Sequence, residues 1–338
     1  MIRLITLFSL LGLLPISACI PQEFKATPHA LNRRLDPGER YQGIRLLGAL
    51  RLADAEIAGS RLCGLSGLTW DDAAGVLYAI SDRGALFHLS PVFDERGYLS
   101  DLKVLAAHPL QNAAGQPLGR PFNDSEGLAL RHGDPRSPGD TELLVSFETR
   151  PRLVRYDPSG RWLGEVPLPA ALRNVANYRD SNQSLEAVAI DPQRGILTGS
   201  EIALRNDPEG LIRIFSTRGR FWLYPLGSAP GSALVAMEAL PDGGWLTLER
   251  AFVSAFQPFT ISLRRTEPPL RGTTGLLKVD AVAVFNSDQD WLLDNFEGLA
   301  RHRERRFFMV SDDNCNGWQS TLLAYFELLP FHAEPQRP

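Results

Sequence analysis

Lysine, cysteine and helical pattern are all scarce in this sequence. Of its 35 basic residues only Lys25, Lys103 and Lys278 are lysine, and the arginines form no run. With a formal net charge of −4, the chain lacks the basic footprint of a nucleic-acid partner. The three cysteines make no CxxC pair, and the six histidines show no HExxH or other ligand spacing. The usual zinc and copper sites are therefore excluded. A GxSxG nucleophile elbow and a P-loop are missing too. After the first 20 residues no amphipathic helical pattern of three turns occurs. Apolar residues at 44% and charged residues at 22% exclude long disorder, collagen and coiled coil.

The one long apolar run is residues 4–14, LITLFSLLGLL, preceded by Arg3. It is too short to span a bilayer, which takes about 20 residues, and it reads as an export signal over 1–18. Ile16-Ser17-Ala18-Cys19 resembles a lipobox, so cleavage before Cys19 and lipidation of that residue are expected. A plain signal peptide with an incidental cysteine is the alternative. Ile20, in place of an inner-membrane retention Asp, favours the outer membrane of a bacterial cell envelope. Residues 19–40, with Pro21, Pro28 and Pro37, read as a tether, and 41–330 as the folded domain. The membrane is touched through the lipid alone, and the domain is expected to be a monomer.

What organises the domain is a repeat. Five segments place Glu (Ser in the first) before a small residue and an aliphatic one. They are anchored at Ser66, Glu126, Glu186, Glu238 and Glu297. Each is followed by a turn signal, such as Asp191-Pro192-Gln193-Arg194-Gly195, and a second strand pattern ending in Asp82, Glu148, Glu201, Glu249 or Asp312. Two further strand patterns follow in most units. Four antiparallel strands per unit are a propeller blade. The last unit has three, and the lone strand Gly43–Leu50 supplies the fourth, closing the ring and removing two free edges. The sequence thus predicts an all-β fold, a single β-propeller of five four-stranded blades. A sixth blade hidden in irregular stretches is the alternative; 170–183 and 251–275 read as loops.

Antiparallel neighbours put the start of one strand beside the end of the next. Both acids of every blade are therefore expected at one mouth of the ring: Asp82, Glu126, Glu148, Glu186, Glu201, Glu238, Glu249, Glu297 and Asp312, with Asp124, Asp294 and Asp313 nearby. At 4–8 Å, with an effective dielectric near 20, each close pair of charges costs about 2–4 kcal/mol. Protonation, arginine partners (Arg83, Arg150, Arg250) or bound cations relieve this. Oxygen donors without His or Cys favour Ca²⁺. Strand capping by some of these acids is the alternative. Ser81, Ser146, Ser200 and Ser311 precede acids closely, but a strand-end serine is a weak nucleophile signal. Trp70, Trp245 and Phe307 read as core. Cys63 and Cys315 fall on neighbouring blades at the same mouth and are expected to form a disulfide, two separate thiols being the alternative.

Leu65–Leu68 with Ala79–Gly84, Asn123-Asp124-Ser125-Glu126-Gly127-Leu128-Ala129, and Asp294–Ala300 with Val310–Asn314 resemble the bacterial family called "esterase-like activity of phytase". The resemblance covers about residues 42–327. It implies a propeller hydrolysing phosphate or other esters, with the second-motif acids and the Glu-Gly-Leu-type glutamates holding Ca²⁺ in an acidic channel; under a hydrolase reading Glu186 and Glu297 are the expected catalytic carboxylates. The first repeat departs in carrying Ser66. The near absence of lysine argues against phytate itself as substrate. A small ester or phosphoester is the expected ligand. The competing readings are a non-catalytic propeller that binds a sugar, peptide or protein, and a lactonase-like enzyme or lyase.

Overall fold

The computed structural model describes residues 24–132, 141–254, 257–269 and 275–330. The signal and Cys19 lie outside them. Five antiparallel sheets follow one another along the chain. Blade 1 is Leu65–Asp71, Val76–Ser81, Ala85–Phe93 and Leu99–Pro109; blade 2 is Ser125–His132, Thr141–Phe147, Arg152–Tyr156 and Trp162–Val166. Blade 3 is Leu185–Asp191, Gly195–Ser200, Leu211–Ser216 and Arg220–Pro225; blade 4 is Ser232–Ala239, Trp245–Ala251, Thr260–Glu267 and Lys278–Asn286. Blade 5 has Asn295–Arg303, Arg306–Asp312 and Leu322–Leu328, and its outer strand is Ile44–Leu52 from the opposite end of the chain. The first strands of successive blades contact one another around the ring, and those of blades 5 and 1 do too. The fold is a five-bladed β-propeller closed by its N-terminal strand, as the sequence predicts.

Alternation along the strands explains the packing. Five apolar clusters fill the five gaps between blades. Blades 5 and 1 share one through Phe308, Leu323, Leu68 and Phe87; blades 3 and 4 share another through Ile214, Trp222, Leu234 and Trp245. No blade covers both its faces alone, so the ring folds as one body. Trp245 and Phe307 are buried as expected, whereas Trp70 is half-buried and borders the channel.

Two stretches differ from expectation. The sequence predicts a tether over 19–40, yet Ala26–Pro28 pairs with the closing strand (Ala26 opposite Leu52) and Leu31 is buried. Pro28 is tolerated because this strand lies at the sheet edge. The run 251–275 contains the third strand of blade 4, Thr260–Glu267. Arg264 and Arg265 obscure its alternation, but Ile261 and Leu263 are buried. In 170–183 only two short 3-10 turns form, Ala170–Leu172 and Val175–Asn177.

Candidate functional site

In each blade the pairing of the first two strands slips near the start of the first strand, and in blade 5 it slips again between Arg301 and Arg303. The shared slip lies between Leu65 and Gly67, Ser125 and Leu128, Leu185 and Val188, Leu234 and Ala236, and Phe296 and Gly298. These are β-bulges, which re-aim a side chain out of the sheet. The residues they re-aim are Ser66, Glu126, Glu186, Val235 and Glu297. The small residue after each anchor has a packing reason. A Cβ on Gly127 would lie 2.5 Å from the Glu186 carbonyl oxygen, and one on Gly67 2.6 Å from that of Glu126. Glycine lets the bulges of blades 1 and 2 press against the next, which draws the anchor side chains together; blades 3 and 4 carry Ala187 and Ala236 there.

One strand-end serine ties two bulges together, and the other three bond to nearby loop carbonyls. Ser146 Oγ donates to the Glu186 carbonyl (2.5 Å) and accepts from Gly127 N (2.7 Å). Ser81 Oγ donates to Cys63 O, Ser200 Oγ to Ile202 O, and Ser311 Oγ to Ser320 O. All four serines are buried. Each hydroxyl proton is engaged by a backbone carbonyl, which makes these serines structural.

The mouth so formed is a cavity of about 410 Å³. Its carboxylates are Asp82, Asp124, Glu126, Glu148, Glu186, Glu201, Glu297 and Asp312, against two arginines, Arg120 and Arg250. Seven of the nine predicted acids therefore meet there. The other two do not. Glu238 borders the opposite mouth beside Trp70, Arg131 and Arg301, where its carboxylate accepts from Arg301 N at 3.1 Å. Glu249 is buried between blades 3 and 4, accepting from Tyr224 OH (2.5 Å), Gly227 N (2.8 Å) and Arg264. The cause is register. The bulge of blade 4 falls at Val235, three residues before Glu238, and the position following the second strand's paired Glu249 is Arg250. Blade 4 thus brings an aliphatic group and a cation where blades 2, 3 and 5 bring two acids.

Arg250 is the cationic hinge of the site. Its guanidinium donates to Glu297 Oε1 and Asn295 Oδ1, both at 2.8 Å, and to Glu201. It joins carboxylates from the blades on either side of its own. Those anions, Glu297 first, hold it protonated against the opposing effect of burial. Arg83 lies 3.4 Å from Asp82, whereas Arg150 stacks over Phe122 rather than pairing with Glu148.

The remaining acids are crowded. Burial first, then their neighbours' charges, lifts Glu126 and Glu186 well above the usual carboxylate range. Glu148 is pushed up to about 8 and Asp312 to about 9, again chiefly by burial. Glu297, relieved by Arg250, rises to about 7. Burial also raises Glu201 and Asp82. Oxygens of Asp124, Glu126 and Glu148 lie within 4.8 Å of one another, a spacing suited to one cation. Glu186 is 5% exposed, and its Oε2 has no hydrogen-bond partner among the described residues. An unpartnered buried carboxylate oxygen beside an oxygen cluster fits a hard cation such as Ca²⁺.

Cys63 and Cys315 are disulfide-bonded across 252 residues, linking blade 1 to blade 5 at this mouth. Asp313, from the same loop, accepts from Gly64 N (2.8 Å) and Cys315 N (3.0 Å). It buttresses the ring closure, while its neighbour Asp312 faces the cavity.

Fold and site together define a five-bladed propeller with one mouth built of oxygen ligands. Residues 60–315 match the phytase-like family described as esterase-like activity of phytase, and the chain belongs to that family. A search of curated proteins finds no match.

Proposed function

We propose that this protein is a metal-dependent ester or phosphoester hydrolase, exported and anchored to the cell envelope through Cys19. The observation that carries the reading is the unpartnered Glu186 Oε2 in a mouth with eight carboxylates and two arginines. Asp124, Glu126 and Glu148 would hold the ion, with Ca²⁺ favoured by their oxygen chemistry. When bound, the ion supplies Lewis acidity and charge neutralisation toward an ester oxygen. Glu186, which lines the cavity and has an unpartnered buried oxygen, takes the proton of the attacking water. Glu297, fixed by Arg250 and by Asn295 Nδ2 at 2.8 Å, carries the proton delivered to the leaving oxygen.

The test is turnover of phenyl phosphate and 4-nitrophenyl acetate by the purified domain. Activity with calcium, its loss on chelation, and at least a 100-fold loss in Glu186→Gln are expected. No turnover of either ester with calcium present would overturn the reading.

A second reading has its own support. Arg250 already neutralises Glu201 and Glu297, and the four strand-end serines are engaged in the scaffold. Such a mouth also suits a propeller that binds a cation-bridged ligand without cleaving it. Binding that survives Glu186→Gln, with no turnover, would select it.

A further inference from the structure

A second cleft opens on the same face as the acidic mouth, between blades 3 and 4, with a volume of about 500 Å³. Three chain segments contribute neighbouring residues to both cavities. Asn182 lines the mouth and Gln183 the cleft; Glu201 lines the mouth and Ile202 the cleft; Arg250 lines the mouth and Phe252 the cleft. The two spaces are therefore adjacent, separated by the width of three backbone segments. The Gln183 side chain hydrogen-bonds to Glu201, so the partition itself is polar and tied to the mouth.

The cleft is mixed in character where the mouth is acidic: Arg179, Gln183, Glu209 and Ser232 line it together with an apolar wall. Phe252 and Val253, each 52% exposed, present apolar surface there. Small residues share the lining: Gly227, Ala229, Gly231 and Ala203. Gly231 is required by close approach, since a Cβ there would meet Phe252 O at 2.5 Å and Val253 Cγ2 at 3.0 Å. Its φ of +74° suits glycine as well. The residue seats the Phe252–Val253 segment against the cleft and adds no bulk. Two half-exposed large apolar side chains around small residues form a slot for an apolar group.

We infer that the substrate is an amphiphile: an ester whose anionic head enters the acidic mouth while its apolar alcohol or acyl part lies in the cleft between blades 3 and 4. This rests on the proposed function for its head-group site and adds the class of substrate. The adjacency of the two cavities on one face selects the occupant, because a group bound at the Glu201–Arg250 edge of the mouth has the exposed Phe252 and Val253 just across the partition.

The test uses non-hydrolysable methyl-, butyl- and hexylphosphonate, titrated into the calcium-loaded protein and followed by ³¹P NMR. A fully buried methylene is worth about four-fold in affinity. In this half-open cleft about two-fold per methylene is expected, hence at least ten-fold between methyl and hexyl. Phe252→Ala removes one wall, and Ala229→Trp fills the slot; each should reduce that ratio below about three-fold. Phe252 is half-exposed, so its removal should leave the unfolding transition in place. If methylphosphonate binds with calcium but the wild-type series is flat, the amphiphile inference fails and the head-group site stands. A steep series untouched by both substitutions places the tail elsewhere and also overturns the inference. If no phosphonate of any length binds, the inference and the proposed function fall together.

Discussion

Replacing Arg250 by methionine tests how the acidic mouth is held together. The substitution keeps most of the side-chain volume and removes the charge. It leaves Glu201, 1% exposed, and Glu297, 8% exposed, without their cation. Breaking a fully buried ion pair from one side costs about 3–5 kcal/mol. Arg250 retains 22% exposure, which places the expected loss near the low end, about 3 kcal/mol. For a domain of this size that is a fall in Tm of about 6 °C. The loss should grow with pH, because the abandoned carboxyl groups escape the penalty by taking up protons. Thermal unfolding of calcium-free protein at pH 6 and pH 8 measures both effects, and added calcium should recover much of the loss. A Tm within about 1 °C of wild type at pH 8 would refute the role assigned to Arg250.

Five positions permit further checks. Glu126→Gln should weaken calcium binding at least ten-fold, whereas Glu238→Gln should leave it alone, since Glu238 borders the opposite mouth; equal effects by calorimetry would contradict the register of blade 4. The Cys63→Ala/Cys315→Ala double variant opens a 252-residue loop and should lose about 4–5 kcal/mol in urea titration; a loss under about 1 kcal/mol would show that strand pairing alone closes the ring. His302 is lowered to about 4, mainly by burial, with charged Arg303 and Arg306 adding to the effect and Asp72 opposing it. Its folded pKa lies below the unfolded one, so its contribution is present above pH 6.5 and is lost as pH falls toward 4, by about 2 kcal/mol. His302→Phe should flatten that limb of the stability profile.

The ring was legible in the sequence because its repeat serves packing as well as chemistry. The glycine of Glu-Gly-Leu is there for blade contact, and turn signals separate the paired strands. The closing strand was legible because a propeller cannot leave two edges unpaired. Blade 4 was misread for a specific reason. Val235 at the bulge carries no acidic signal, and Glu238, three residues on, imitates the missing anchor. The partnership of Arg250 was hidden because its carboxylates lie 49 and 47 residues away on two other blades. Arg264 and Arg265 masked a strand because one reaches Glu249 and the other Asp242, each by its guanidinium, while the strand's aliphatic residues face inward. The cleft between blades 3 and 4 is assembled from segments of both blades, and no periodicity announces it.

The most direct test of the whole account is calcium titration of the metal-depleted protein across pH. Without an ion, Glu148 and Asp312 hold their protons up to about 8 and 9, above their unfolded values. That contribution is complete below pH about 4 and is lost as pH rises through 8–9, so stability without metal should fall over that range. Calcium should bind with a defined stoichiometry, release protons, and raise the Tm most at the alkaline end. A protein that takes up no calcium, and whose alkaline stability calcium leaves unchanged, would contradict the claim that this mouth is a cation site.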